Sequence, residues 1–284
     1  MKSTATLGDL RQWAIATLTD VSPSPLADAD RLLTTATGAD AAALRAFPER
    51  IPAAAAQQQF QAWIGRRRRG EPVAYILGEW GFMDLELAID RRALIPRPET
   101  EHLVEAARAV RGQRILDAGT GSGCIAIALA RARPDAAIDA VDRSADAISL
   151  ARANAERLGT PWIRFLIGDW YTPLGARRYD VIVANPPYIG ADEPEIHQGD
   201  LRYEPREALI ADADGLAALQ ALISGAPAHL TRGGWLWLEH GHRQGEAVRG
   251  LLQIHGFDAI ETRRDLAGRE RVTGEHAQRR PAAG

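Results

Sequence analysis

The sequence holds one cysteine, two methionines, seven Trp, five Tyr and five Phe in 284 residues. These scarcities exclude several classes of protein. A lone thiol, Cys124, closes no internal disulfide and fits a reducing compartment. It also leaves no cysteine cluster for a structural zinc site. No apolar run approaches the roughly 18 residues of a membrane-spanning helix. The stretch from Met1 to Asp20 lacks the continuous apolar core of a secretory signal. Positive charge is not in excess either: 34 Lys and Arg stand against 37 Asp and Glu, a net charge of −3. The whole chain is therefore no electrostatic nucleic-acid binder. There is no internal repeat. The expectation is a soluble, cytoplasmic, monomeric protein without membrane or direct nucleic-acid partner, long enough for one large domain or two.

Helical periodicity dominates residues 7–70. Leu7, Leu10, Trp13, Ala14 and Leu18 share one face. Leu26, Ala29, Leu32 and Leu33 mark a second helix, which Gly38 ends. A short helix over Ala41–Phe47 stops near Pro48, and Pro52 opens a long one through Phe60, Trp63 and Ile64. It closes on Arg66-Arg67-Arg68-Arg69-Gly70, basic residues that complement the helix dipole before a natural stop. That arginine run reads as a solvated helix end, with contact to an acidic partner or RNA as the alternative. Residues 71–98 read as a connector containing a small hairpin over Gly78–Leu87. Glu99-Thr100-Glu101 then starts a helix running to Val110, with acids suited to its dipole. The division expected is a helical domain over 1–75, a hairpin linker over 76–98 and a catalytic domain over 99–284.

From residue 113 strands and helices alternate, the pattern of a parallel sheet covered on both faces. Strands are expected at Arg114–Asp117, Ala137–Val141, Ile163–Ile167, Asp180–Ala184 and Trp235–Glu239, with a final pair at Asp258–Arg263 and around Arg271–Thr273. Helices are expected at Cys124–Arg133, Ala145–Leu158, Gly215–Leu230 and Gln244–His255. The tail Glu275–Gly284 reads as disordered.

The strand Asp180–Ala184 stops at Asn185-Pro186-Pro187-Tyr188. Two prolines bring no N–H to a ladder, and Asn185 before a proline is held extended. The turn thus offers acceptors, the Asn185 side-chain carbonyl and the Pro186 backbone carbonyl, beside the Tyr188 ring. Such a surface suits a planar NH2 group. The four residues resemble the active-site motif of methyltransferases acting on planar nitrogens. Upstream, Ile115–Gly123 runs from a strand through Gly119-Thr120-Gly121-Ser122-Gly123 into a helix. The spacing is GxGxG rather than the GxGxxG of dinucleotide binders. Asp142 closes the next strand, about where an acid grips ribose hydroxyls. Gly168-Asp169-Trp170 closes the third. Together these resemble an S-adenosylmethionine site: Gly119–Gly123 against the methionine part, Asp142 on the ribose, Asp169 and Trp170 bordering the adenine. Cys124 reads as a small buried residue without a neighbouring base. His240 and His242 follow a strand, lack further ligands, and read as structural; no metal is expected.

The order of motifs resembles one family, the PrmC/HemK-type release factor glutamine methyltransferases. The residues carrying it are Gly78–Phe82, Ile95–Glu101, Asp117–Gly123, Gly168–Trp170, Asn185–Ile189, Arg202–Pro205, Leu238–Gly241 and Glu270–Thr273. The resemblance spans about residues 7–273. It implies an α/β fold, a Rossmann-like class I methyltransferase sheet with a small helical N-terminal domain for substrate binding. It further implies methyl transfer from S-adenosylmethionine, leaving S-adenosylhomocysteine, to the glutamine N5 of the Gly-Gly-Gln motif in class 1 peptide chain release factors, which modulates translation termination. In that scheme Asn185, Pro186 and Tyr188 are catalytic. Asn185, Pro186, Pro187, Tyr188, Arg97 and Glu99 meet the protein substrate, and Asn185 also borders the cofactor. Competing readings are a methyltransferase for exocyclic amines of nucleic acids, a nicotinamide dehydrogenase and a silent adaptor. The net charge, the GxGxG spacing and the intact Asn185 argue against them in that order.

Overall fold

Thr6 opens the first helix: its hydroxyl accepts from the Asp9 N–H at 3.1 Å, while the Asp9 carboxylate accepts from the Thr6 N–H at 3.0 Å, a closed capping box. The computed structural model describes residues 5–212 and 214–276. Helix α1 (Leu7–Leu18) is followed by α2 (Pro25–Thr37), α3 (Ala41–Ala46), α4 (Ala54–Arg68) and α5 (Val73–Leu77). Pro25 sits in the first turn of α2, and Gly38 caps its end in the left-handed region. Leu10, Leu18, Leu32, Leu33, Phe60 and Ile64 are fully buried, each contributing about 1.5–3 kcal/mol. Trp13 meets the Phe60 ring edge-on at 6.2 Å. Helix α5 lies in the expected connector: five residues after Pro72 are too few for a periodic signal.

These helices form one compact unit with a distant piece of chain, His197–Tyr203; the other unit comprises Glu79–Ile196 and the chain from Glu204. The arginine run explains that incorporation and corrects its reading as a solvated end. Arg67 is buried, its Nε donating to Asp28 at 2.6 Å and its Nη1 to Asp200 at 2.5 Å. Arg66 clamps Glu71 with two bonds of 2.8 Å. Arg68 and Arg69 are exposed. The Arg69 carbonyl, left over at the helix end, accepts from Tyr203 OH at 2.6 Å and from Arg202 at 3.1 Å. Gly70 is required beside them: at φ +94 a Cβ would lie 1.5 Å from the Arg202 guanidinium.

The second unit begins with a hairpin, β1 (Glu79–Phe82) and β2 (Leu85–Ala88). The Glu101 carboxylate, from α6 (Pro98–Ala109), accepts from the turn N–H of Met83 at 2.9 Å. The chain then alternates through β3 (Arg114–Ala118), α7 (Cys124–Ala132), β4 (Ala137–Asp142), α8 (Ala145–Arg157), β5 (Arg164–Ile167) and β6 (Tyr179–Ala184). A two-residue bridge joins β7 (Ile189–Gly190) to β8 (Ile210–Ala211). It continues with α9 (Ala217–His229), β9 (Leu230–Glu239), α10 (Gly245–Ile254), β10 (Ile260–Arg264) and β11 (Glu270–His276). The seven-stranded sheet has the order β10-β11-β9-β6-β3-β4-β5. All neighbours are parallel except β11, which runs antiparallel to β9 and β10. Helices cover both faces, and the two apolar clusters meet the sheet through alternate residues, Ile115, Val181 and Val183 on one face and Leu116, Ile182 and Ala184 on the other.

Two expectations are corrected. Strand β9 starts at Leu230, directly after α9, because a register shift between Tyr179 and Val181 accommodates Thr231–Gly234. Glu275 is no part of a disordered tail: it pairs with Leu236 and Ile260, and its carboxylate accepts from the Asp258 and Ala259 N–H groups. Residues 277–284 lie outside the described residues. Among the described residues no helix is long and apolar enough to cross a membrane.

Candidate active site

Strand order places the decisive turns. From β3 the chain moves to β4 and β5 on one side, then returns to β6 on the other. The carboxyl ends of β3 and β6 therefore flank a topological switch point, where open α/β sheets form a crevice. A cleft of about 920 Å³, counted out into open solvent, opens there. Gly119, Thr120, Gly121, Ser122, Asp142, Asp169, Trp170, Asn185 and Pro187 line it. Gly123, Pro186, Tyr188, Arg97 and Glu99 are not among its lining residues.

One wall is the glycine-rich turn. Gly119 and Thr120 both donate N–H bonds to the Val141 carbonyl, at 2.8 and 2.9 Å. This ties the turn to the end of β4. Gly119 has φ +82, and a Cβ there would come within 3.2 Å of the Trp170 ring. The glycine thus allows both the backbone conformation and the indole's close approach. Asp142 accepts from the Gly121 N–H and from the Ser144 N–H, each at 2.9 Å. Burial raises its pKa against those two bonds.

Below the turn Asp117 is fully buried. Its Oδ2 accepts from Thr120 Oγ1 at 2.6 Å and from the Ala126 N–H at 3.1 Å, while Oδ1 has no hydrogen bond. Burial pushes this carboxyl up to about 7, opposed by the Thr120 and Ala126 donors. Cys124 is buried at the start of α7, its thiol pushed up to about 12 chiefly by burial. It is a core residue and no nucleophile.

The facing wall is the turn after β6. Asn185 Nδ2 donates to Thr100 Oγ1, in the first turn of α6, at 3.1 Å. The Asn185 side-chain oxygen and the Pro186 carbonyl accept no hydrogen bond among the described residues. The Tyr188 hydroxyl donates to Glu239 Oε1 at 3.3 Å, and its carbonyl accepts from Gln244 at 3.0 Å. Glu204 accepts from the Ile95 N–H at 2.9 Å and from Arg97 at 2.5 Å. Glu99 lies 3.6 Å from Arg271. His240 is spent within the protein: Nδ1 bonds the Gly241 carbonyl, leaving Nε2 to accept from Thr273. Thr100 and Glu239 were not singled out from the sequence as site residues. Thr100 reads there as part of an acidic helix start and Glu239 as an ordinary strand end.

The Methyltransferase small domain family matches residues 98–200, and the PrmC N-terminal domain family matches residues 9–78. A Release factor glutamine methyltransferase from Salmonella typhimurium is 46% identical, covering 93% of this chain and 98% of that protein. The chain belongs to the release factor glutamine methyltransferase family. A second member, from Pseudomonas aeruginosa, is 48% identical over 89% of this chain and 92% of its own. Among solved structures, a T. thermophilus 16S rRNA N2 methyltransferase in complex with AdoMet and guanosine superposes with a TM-score of 0.51. It is 20% identical over 71% of this chain and 50% of its own, a likeness that shows the class I methyltransferase fold alone. The mostly parallel seven-stranded sheet agrees with the class I methyltransferase fold expected from the sequence.

Proposed function

We propose that this enzyme transfers a methyl group from S-adenosylmethionine to the side-chain amide nitrogen of the glutamine in the Gly-Gly-Gln motif of class 1 peptide chain release factors. The observation that carries the reading is the pair of unused acceptors, Asn185 Oδ1 and the Pro186 carbonyl, on a turn whose Asn185 and Pro187 line the cleft. A primary amide presents two N–H donors in one plane, and two acceptors on a stiff turn match them.

The cleft's donor set fits the cofactor. Asp142 offers carboxylate lone pairs suited to ribose hydroxyls, and Asp169 and Trp170 offer an acceptor and a ring face suited to adenine. Gly119 and Gly121 present bare backbone suited to the methionine portion. When bound, S-adenosylmethionine supplies an electrophilic methyl on a positively charged sulfur.

The chain's own work is positioning. An amide nitrogen is a poor nucleophile because its lone pair is drawn into the carbonyl. Asn185 and Pro186 hold the two amide hydrogens, which fixes where the nitrogen lone pair points. These acceptors strengthen as positive charge grows on nitrogen during transfer. The prolines keep the turn from shifting, and Tyr188, held by Glu239, walls the site. The methylated nitrogen is a strong acid until it loses a proton, so no base is assigned. Arg97 and Glu99, engaged with Glu204 and Arg271, shape the rim for the incoming loop. We assign the helical first unit to docking of the factor, and cytoplasmic location and a monomeric state to the enzyme.

The test is transfer of labelled methyl from S-adenosylmethionine to purified release factor, compared with ribosomal RNA and DNA. Label on the Gly-Gly-Gln glutamine is expected; label on nucleic acid without label on the factor overturns the reading.

A further inference from the structure

Two stretches far apart in the chain meet at the cleft. The segment after β2 brings Arg92, Ala93 and Leu94 to its lining, and the glycine-rich turn brings Gly119–Ser122. The two edges approach closely: a Cβ on Gly121 would lie 4.0 Å from the Ala93 Cβ. Helix α8 stands behind the turn, where a Cβ on Gly123 would come within 3.1 Å of the Ala151 Cβ. Asn154 follows on the same helix face and is fully buried. Its Oδ1 accepts from the Ala88 N–H at 2.8 Å, while Nδ2 donates to the Ala88 carbonyl and to the Ser122 carbonyl, each at 3.0 Å. One carboxamide thus joins the last residue of β2 to the glycine-rich turn.

We propose that Asn154 is a positioning residue for S-adenosylmethionine, fixing the glycine-rich turn and the segment after β2 in one relative position. The inference rests on the cofactor reading of the cleft given above and adds the side chain that holds its two edges in register.

The partners fix the direction of the amide. Its oxygen faces an N–H and its nitrogen faces two carbonyls, so the reversed amide would set donor against donor and acceptor against acceptor. Toward Ala88 the side chain behaves as a peptide unit of a neighbouring strand would, accepting one bond and donating one. The remaining amide hydrogen goes to Ser122. Helix formation alone does not ask for this residue, since Asn forms helices less well than Ala153 and Ala155 beside it. Nor is it needed merely to fasten the hairpin. Arg157 on the same helix donates to the Glu86 carbonyl at 2.5 Å and makes no hydrogen bond to the glycine-rich turn among the described residues; its guanidinium also lies 3.5 Å from Asn154 Oδ1. What Asn154 adds is the link to Ser122.

A ligand that touches both edges binds best when their spacing is already set, because it does not have to order them itself. The device acts on affinity and not on the chemical step, for Asn154 makes no bond to the Asn-Pro-Pro-Tyr turn. The coupling is also reciprocal: whatever these bonds contribute to cofactor binding, bound cofactor contributes to the bonds.

Asn154→Asp keeps the acceptor for the Ala88 N–H and sets oxygen against the Ala88 and Ser122 carbonyls. Calorimetry should show S-adenosylmethionine affinity falling by about tenfold or more. Steady-state methylation of full-length release factor should show a matching rise in KM for S-adenosylmethionine, with KM for the factor and kcat at saturation near wild type. A residue that merely stabilised the fold would instead lower kcat with the loss of folded enzyme and leave that KM in place. Arg157→Met, which releases Glu86 from α8, should keep wild-type affinity. A third measurement uses the wild type and holds whether or not Asn154→Asp folds. Adding S-adenosylmethionine should slow hydrogen exchange of the Ala88 N–H by about tenfold or more, while the Met83 N–H, held by Glu101 at the hairpin turn, keeps its rate. Unchanged affinity in folded Asn154→Asp, an equal loss in Arg157→Met, or Ala88 exchange slowed no more than that of Met83 would overturn the proposal. A wild type that binds S-adenosylmethionine but methylates no factor would sink the proposed function alone, and the calorimetry would still decide the role of Asn154.

Discussion

The glycine-rich turn after β3 and the Asn-Pro-Pro-Tyr turn after β6 leave neighbouring parallel strands at one edge of the sheet, yet they use opposite backbone chemistry. The first has three positive-φ glycines and spends its N–H groups on Val141 and Asp142. The second has had N–H groups removed by two prolines and leaves carbonyl oxygens unspent. One turn is shaped by what glycine permits, the other by what proline forbids. We propose separate tasks for them on this difference: the first to bind a ligand by close backbone approach, the second to orient a reacting group. Damage to the two turns should accordingly appear in different measurements.

The largest effect should come from the second turn. Asn185→Ala is expected to cut single-turnover methyl transfer by about two orders of magnitude or more, the scale of a lost oriented polar contact. Folding and S-adenosylmethionine affinity should stay close to wild type. Near-normal transfer would place the nitrogen site elsewhere. Asn185→Asp sharpens the contrast: it keeps an acceptor but loses the Nδ2 donor that Thr100 Oγ1 accepts from, so the orientation of the group is lost and a large rate loss is expected there too, with cofactor affinity held or increased.

Asp142→Ala should do the reverse, weakening S-adenosylmethionine binding by about 1.5–3 kcal/mol, as a lost hydrogen bond to a charged group does. Calorimetry on the folded variant checks it, and unchanged affinity would remove Asp142 from the ribose assignment. Smaller again is Gly119→Ala. Its φ of +82 and the Trp170 ring at 3.2 Å predict about 1–2 kcal/mol of lost stability, with weaker cofactor binding and an unaltered rate at saturation. A denaturation midpoint equal to wild type would show that the turn tolerates a side chain.

The smallest effect concerns Asp117. Burial holds this carboxyl at about 7, above its value in the unfolded chain, so the folded state carries the extra proton between those two values. Its stabilising contribution is present at low pH and is lost as pH rises through about 7. Thermal midpoints between about pH 5 and 8 should fall less steeply for Asp117→Asn than for the wild type. Identical slopes would contradict the assigned protonation.

The sequence made most of the sheet readable because each parallel strand is a short apolar run bounded by turn residues. The two turns that line the cleft were readable for a related reason: glycine and proline carry backbone geometry in their covalent structure. Neither property reaches Thr100 or Glu239. Thr100 matters through Asn185, 85 positions on, and Glu239 through Tyr188, 51 positions back, and each is locally ordinary. The arginine run failed as a sequence signal for the same cause. Four basic residues at a helix end look solvated until Asp200 arrives from the far half of the chain to bury Arg67. Thr231–Gly234 reads as a loop because glycine and polar residues lack strand propensity; register with β6 overrides that preference.

That arrival of Asp200 has a temporal side. Arg67 and Asp200 are 133 positions apart. On a ribosome adding about 5–20 residues per second, some 7–27 seconds separate the two. During that interval the first four helices exist with a guanidinium that has Asp28 but lacks its second carboxylate. The helical unit is thus encoded first and finished late: its last structural piece, His197–Tyr203, emerges after β6 and the Asn-Pro-Pro-Tyr turn have already been made. Nascent chains halted before residue 200 should present this unit in a looser form than the finished protein, exposed to proteases and chaperones for longer than its place at the start of the chain suggests.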